Sequence, residues 1–203
     1  MADTPTEVAP NDLDGRTLRR VNSYERAVDA LLDLIQSGNP APTAQQIAEK
    51  SGISVRTVFR LTEDINSLQA RAVDRQIRRT ADLYVKLRTT GGLGARIRAL
   101  VENRATVFET VAPIQRVADS LAGTSPQIAD GMAMLHHLLR TQIAELFERE
   151  LGRISRVRRP DALDALDVVA GWETWDTLRR LQGLSVSSSA RVVRLLLEGT
   201  LEQ

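Results

Sequence analysis

The chain has 203 residues, 42% hydrophobic and 26% charged, with a net charge of +1 and no cysteine. That is enough apolar material for a core, so wholesale disorder is excluded, as are disulfides, thiolate zinc sites and thiol catalysis. No apolar run approaches the roughly 18 to 20 residues needed to span a bilayer, and the acidic, proline-containing start MADTPTEVAPNDLDG is no signal peptide. A cytoplasmic protein is expected.

Charge is unevenly spread. From Gly15 to Thr90 there are 13 Lys and Arg against 8 Asp and Glu, and only Lys50 and Lys86 of the whole chain are lysines. Arginine suits bidentate contact with phosphate or guanine. A GC-rich genome imposes the same bias.

In chain order, residues 1–15 read as a disordered arm. From Ser23, the stripe Ala27, Val28, Leu31, Leu32 and Ile35 predicts a helix stopped by Gly38-Asn39-Pro40. Thr43 opens a second helix, with Gln46 in capping-box relation, and Gly52 stops it. Ser54 is the N-cap of a short third helix to about Leu61. Thr62-Glu63-Asp64 begins a fourth, running from about Ile65 to Arg88 and ending at Gly91-Gly92. Beyond it helices are predicted at about 94–109, 112–122, 126–151, 160–181 and 187–201. Ser125-Pro126 marks the start of the third of these by N-cap and N1 proline. The expected fold class is all-α: an N-terminal three-helix unit over residues 16–64, a connecting helix, and a five-helix bundle completing residues 65–203.

The stretch QQIAEKSGISVRTVFR, Gln45 to Arg60, carries the functional signal. A helix-turn-helix needs a short turn, commonly with glycine, and a small residue where the two backbones approach. Ala48 stands four residues before Gly52, and Ile47, Ile53, Val58 and Leu61 fall at positions that pack inward. Val55, Arg56, Thr57, Phe59 and Arg60 are left on the outer face, side chains suited to guanine edges, thymine methyls and phosphates. A plain helical hairpin with solvated arginines is the competing interpretation.

Residues 26–73, RAVDALLDLIQSGNPAPTAQQIAEKSGISVRTVFRLTEDINSLQARAV, resemble the tetracycline-repressor (TetR) family of bacterial transcription regulators. The match is carried by Thr43, Ile47-Ala48, Gly52-Ile53-Ser54, Thr57-Val58-Phe59-Arg60 and Leu68. WETWDTLRRLQGLSVSSSARVVRLLLEGTL resembles the last two helices of several members, less specifically. The resemblance implies a helix-turn-helix that touches double-stranded DNA through Thr43, Gln45, Ser54, Val55, Arg56, Thr57, Phe59 and Arg60. It also implies a homodimer on a palindromic operator, and a C-terminal bundle whose small-molecule effector releases DNA. The chain departs from the family at Phe59, Leu61, Thr62 and Ile65, where tyrosine, histidine, phenylalanine and lysine are usual. Arg60, or Arg16, Arg19 and Arg20 ahead of the first helix, could hold the phosphates in their place.

Phe108, Met132, Met134, His136, His137 and Phe147 are candidate effector contacts, each also an ordinary core position. The adjacent His136 and His137 cannot chelate one metal together, and one is expected to face inward. Trp172, Trp175, Leu195 and Leu196 are candidates for the dimer surface, although tryptophan on a helix is also ordinary core. No metal, cofactor or catalytic residue is expected. Gly91-Gly92-Leu93-Gly94 follows no strand, and Asp161, Asp164 and Asp167 read as a solvated helix start. The runner-up is a dimeric helical scaffold or ligand-binding protein whose DNA-reading face has decayed.

Overall fold

The computed structural model describes residues 15–61, 65–84, 87 and 91–201, and all the regular structure it describes is helical. The chain divides into two compact units, residues 1–69 and 70–203. The division falls inside a helix, a few residues beyond the predicted boundary at 64 and 65. The predicted arm lies outside the described residues up to residue 14, and so does the predicted helix start at Thr62-Glu63-Asp64.

In the first unit, α1 (Gly15–Gln36) packs against α2 (Ala44–Ser51) and α3 (Val55–Leu61). Its stripe of Ala27, Val28, Leu31, Leu32 and Ile35 is buried. The helix begins eight residues before the predicted Ser23. No breaker stands between Gly15 and Gly38, and the Ser23 hydroxyl caps nothing; it donates back to the Arg19 carbonyl at 2.9 Å. At the other end the Asn39 amide donates to Leu34 O and the Gly38 amide to Ile35 O, both at 3.0 Å. Gly38, at φ 98°, thereby closes a Schellman turn.

The second unit holds most of α4 (Ile65–Arg79), a 3₁₀ turn Ala81–Tyr84, and α5 (Leu93–Leu121), α6 (Pro126–Leu146), α7 (Glu148–Arg153), α8 (Arg159–Val169), α9 (Trp172–Asp176) and α10 (Val186–Leu201). The fourth helix thus stops short of its predicted end at Arg88, and the predicted five-helix bundle is more finely divided. Its core gathers Leu100, Val107 and Phe108 of α5, Ile143 of α6, Leu166 of α8, both tryptophans, and Val193 and Leu197 of α10.

Three predicted boundaries change here. Pro113 does not divide α5, because proline forfeits only the bond to the Glu109 carbonyl, while Val111, Ile114, Val117 and Ala118 bury the helix on either side of it. Conversely, the predicted helix 126–151 breaks at Phe147 (φ −112°, ψ 22°), whose ring is fully buried. The predicted helix 160–181 breaks at Gly171, and its last part, Thr177–Leu181, is a π-helical turn in which the Gln182 amide donates to Thr177 O at 3.0 Å.

Two buried arginines tie the second unit together. Arg96 donates to the Leu146 carbonyl at 2.5 Å and to both Glu150 oxygens at 2.9 and 2.5 Å. It thus holds the end of α6 and the start of α7 to α5. Arg104 is 1% exposed. It donates to Asn103 and Gln142 side chains at 3.1 Å and to Leu139 O at 3.2 Å, all neutral acceptors. Burial pulls its pKa down to about 10, although Tyr84 and Asp167 act in the opposite direction.

Candidate nucleic-acid interface and a cavity in the second unit

The α2–α3 pair is built by local chemistry that the sequence already displays. Thr43 and Gln46 form a complete capping box: the Gln46 amide donates to Thr43 Oγ1 at 3.2 Å, and the Thr43 amide to Gln46 Oε1 at 2.9 Å. Ala48 is buried where the helices meet. The Gly52 amide donates to Ala48 O at 2.8 Å, with Gly52 at φ 66°, ψ 29°. Ser54 Oγ then accepts the Thr57 amide at 3.2 Å and shares a 2.8 Å bond with the Thr57 hydroxyl.

An arginine outside the pair locks the turn. Arg26 of α1 donates to the Ser51 carbonyl, a cation at the C-terminus of α2 where the helix dipole favours it. A Cβ on Gly52 would sit 2.7 Å from Arg26 Nη2. Gly52→Ala therefore meets two penalties: a left-handed backbone worth about 1–2 kcal/mol against a side chain, and displacement of that guanidinium. The expected result is faster amide exchange across Ile47–Val58 than in the wild type; unchanged protection would contradict this account of the turn.

Behind the outer face, Val58 is fully buried and Ile53, Thr57 and Leu61 are half-buried. In front, Val55, Arg56, Phe59 and Arg60 are exposed, Phe59 by 63%. Thr43 and Gln45 are exposed on α2, Gln45 donating to Glu49 at 3.1 Å. Arg20, Arg56 and Arg60 meet no carboxylate at ion-pair distance among the described residues. The early start of α1 makes a cleft of about 890 Å³ between its first turns and the end of α3, lined by Thr17, Arg19, Arg20, Tyr24, Thr57 and Arg60. Thr17, Tyr24 and Arg26 were absent from the predicted set. The unbroken run from Gly15 to Gly38 was the signal that could have found them.

In the second unit a cavity of about 470 Å³ opens between α5, α6 and the α8–α9 corner. Three of the predicted effector contacts, Phe108, Met132 and His136, line it together. Phe147 does not. Its ring lies in the core under the Arg96 guanidinium, 5.8 Å from the ring centre. Met134 is 77% exposed, and His137 is exposed rather than enclosed. His136 is exposed too, its Nε2 standing 2.9 Å from Asp167 at the cavity rim.

Asp167 is not the solvated carboxylate expected: it is 8% exposed and bound by Arg140 at 3.1 Å, while Asp164 holds the same arginine from outside. Residues not foreseen at the cavity are Tyr84, Gln115, Asp167, Trp172 and Glu173.

The tryptophans are corrected as surface residues. Trp172 is 7% exposed and Trp175 2%. Phe108 packs edge-on to Trp172 at 5.8 Å, and the two indole N–H groups donate to Asp119 and Glu109 at 2.9 Å. The large apolar side chains left outside on α10 are Val186, 38% exposed, Leu195, 68%, and Leu196, 44%.

No family profile matches the chain, and no curated protein sequence does. Solved structures share the fold. A transcriptional regulator from Rhodococcus sp. Rha1 is 16% identical, superposes with a TM-score of 0.66, and matches over 89% of this chain and 96% of its own. Salmonella enterica GusR is 15% identical with a TM-score of 0.58, over 95% of this chain and all of its own. The likeness therefore spans both units of this chain. Among the described residues no helix is long and apolar enough to cross a membrane.

Proposed function

We propose that this chain is a DNA-binding transcription regulator of the tetracycline-repressor type, most simply a repressor. The observation that carries it is the α3 face: four exposed positions, two of them arginines without an acidic partner among the described residues, on a pair fastened from behind. A solvated hairpin has no need of that fastening. The fold shared with a transcriptional regulator supports the same reading. One seven-residue recognition helix reads only a few base pairs, so a two-fold dimer on a palindrome is required, with half-sites about 34–36 Å or a multiple apart. Leu195 and Leu196 of α10 are the apolar side chains offered to the second copy. A small molecule in the second unit's cavity would shift the spacing of the two recognition helices and release DNA. Such a protein works in the cytoplasm and needs no catalytic group.

Selection of the purified protein on a random duplex library is the test. Enrichment of an inverted repeat supports the reading. No enrichment at low as well as moderate salt overturns it and favours a scaffold whose reading face has decayed. The exposed phenyl ring of Phe59, lacking the usual tyrosine hydroxyl, is the observation on that side.

A further inference from the structure

We propose that the cavity of the second unit takes a lipophilic cation, an apolar body of aromatic size carrying one ammonium group; this rests on the effector-responsive reading above. At about 470 Å³ the space falls within the roughly 300–1,000 Å³ of small-molecule sites. Phe108, Met132, Leu135 and Trp172 make its walls, an aromatic pair and two adaptable aliphatic side chains. Such walls accept a flat hydrophobic body of more than one shape.

The charges at the rim decide the rest. Two carboxylates line the cavity, Asp167 and Glu173, and among the described residues no arginine or lysine does. Asp167 is already met by Arg140 and, at the cavity rim, by His136. Glu173 has no cationic partner among the described residues. Its carboxylate folds back over Gly171, Oε2 lying 3.4 Å from where a Cβ would stand. Arg104 sits behind Leu139, bonded to neutral acceptors and balanced in part by Asp167, and lines no part of the space. An anion would have to shed water facing an unneutralised carboxylate. A cation gains from Glu173 at the open rim of the cavity, while its apolar body is buried against the walls.

The test uses the intact protein and three ligands of one shape: 4-tert-butylbenzylamine, 4-tert-butylbenzyl alcohol and 4-tert-butylbenzoate, titrated calorimetrically at neutral pH without DNA. The amine should bind roughly tenfold or more tighter than the benzoate, with the alcohol between them. Glu173→Gln, at an exposed site and without loss of packing, should bring the amine down to the alcohol and leave the alcohol unchanged. Met132→Trp, which adds bulk to the wall and narrows the space, should weaken all three while circular dichroism stays that of the wild type. The proposal is overturned by equal or tighter binding of the benzoate, by binding of none of the three, or by an amine preference that survives Glu173→Gln. Amine binding to a protein that selects no DNA would leave the ligand class standing and sink the regulator reading instead.

Discussion

Glu150→Leu is expected to lower the stability of the second unit by about 3–5 kcal/mol, because it strands the Arg96 guanidinium in a buried site. Side-chain exposure is 11% for Arg96 and 9% for Glu150, so neither charge is compensated by water. The measurement is urea unfolding followed by tryptophan emission. Trp172 and Trp175 are the chain's only two tryptophans, and both lie in that unit. The companion Arg96→Met/Glu150→Leu double variant should recover most of the loss, since removing both partners leaves no orphaned charge. A double variant no better than the single one would mean that packing of Phe147 and the bond to Leu146, and not charge, set the cost.

The pair also sets an acid limb. Hydrogen bonding from Arg96 holds the Glu150 carboxyl below the usual carboxylate range, against the cost of its burial. Folding therefore gains from this group above its unfolded pKa and loses that gain as pH falls through the lower folded value. Glu109, held down chiefly by Arg179, behaves the same way. So does Asp176, where burial pushes upward but Arg180 and Arg116 outweigh it. Glu150→Gln should thus shorten the acid limb of the stability curve without abolishing it.

What the chain declares in advance is what neighbouring residues decide among themselves. Thr43 with Gln46, Gly52 with Ala48, and Ser54 ahead of α3 interact within a few residues, and each predicted cap is formed. Where tertiary packing overrules the local signal, the expectation fails. Pro113 has the local signature of a stop, but a helix buried on both sides of a proline tolerates one missing bond. Phe147 keeps the spacing of its helix, yet the break there is made by Arg96, more than fifty residues upstream, taking the Leu146 carbonyl and Glu150.

The cavity is legible in part for the same reason. Phe108, Met132 and His136 line it and Phe147 does not, although the sequence treats all four alike. Whether an apolar side chain lines a space or fills the core depends on which helix stops short, here α8 at Gly171. Asp167 shows the converse. Its spacing with Asp161 and Asp164 suggests solvent, and its burial depends on Arg140 arriving from α6.

Replacing both Arg56 and Arg60 by alanine is expected to weaken binding to the selected operator, with about 1–3 kcal/mol per protomer lost from Arg56 as a base reader and a further, salt-dependent loss from Arg60 as a phosphate contact. A dimer applies that loss at both half-sites. The two arginines need not do the same work. Arg56 stands in the first turn of α3 beside exposed Val55; Arg60, at the last turn, lines the cleft with Arg20 and Tyr24. Base readers and phosphate clamps have different signatures. Arg56→Ala should relax the preference at one position of each half-site and leave the salt dependence nearly unchanged. Arg60→Ala and Arg20→Ala should weaken all sequences alike and flatten the plot of log affinity against log salt by about one unit for each phosphate left unneutralised. The same cleft bears on the missing tyrosine. With Phe59 unable to donate, the Tyr24 hydroxyl on the other wall is the phenol within this surface, and Tyr24→Phe should lower affinity without changing the sequence selected. Uniform weakening from Arg56→Ala, with no position relaxed, would move base reading away from α3 and turn the whole basic surface into a clamp on the backbone.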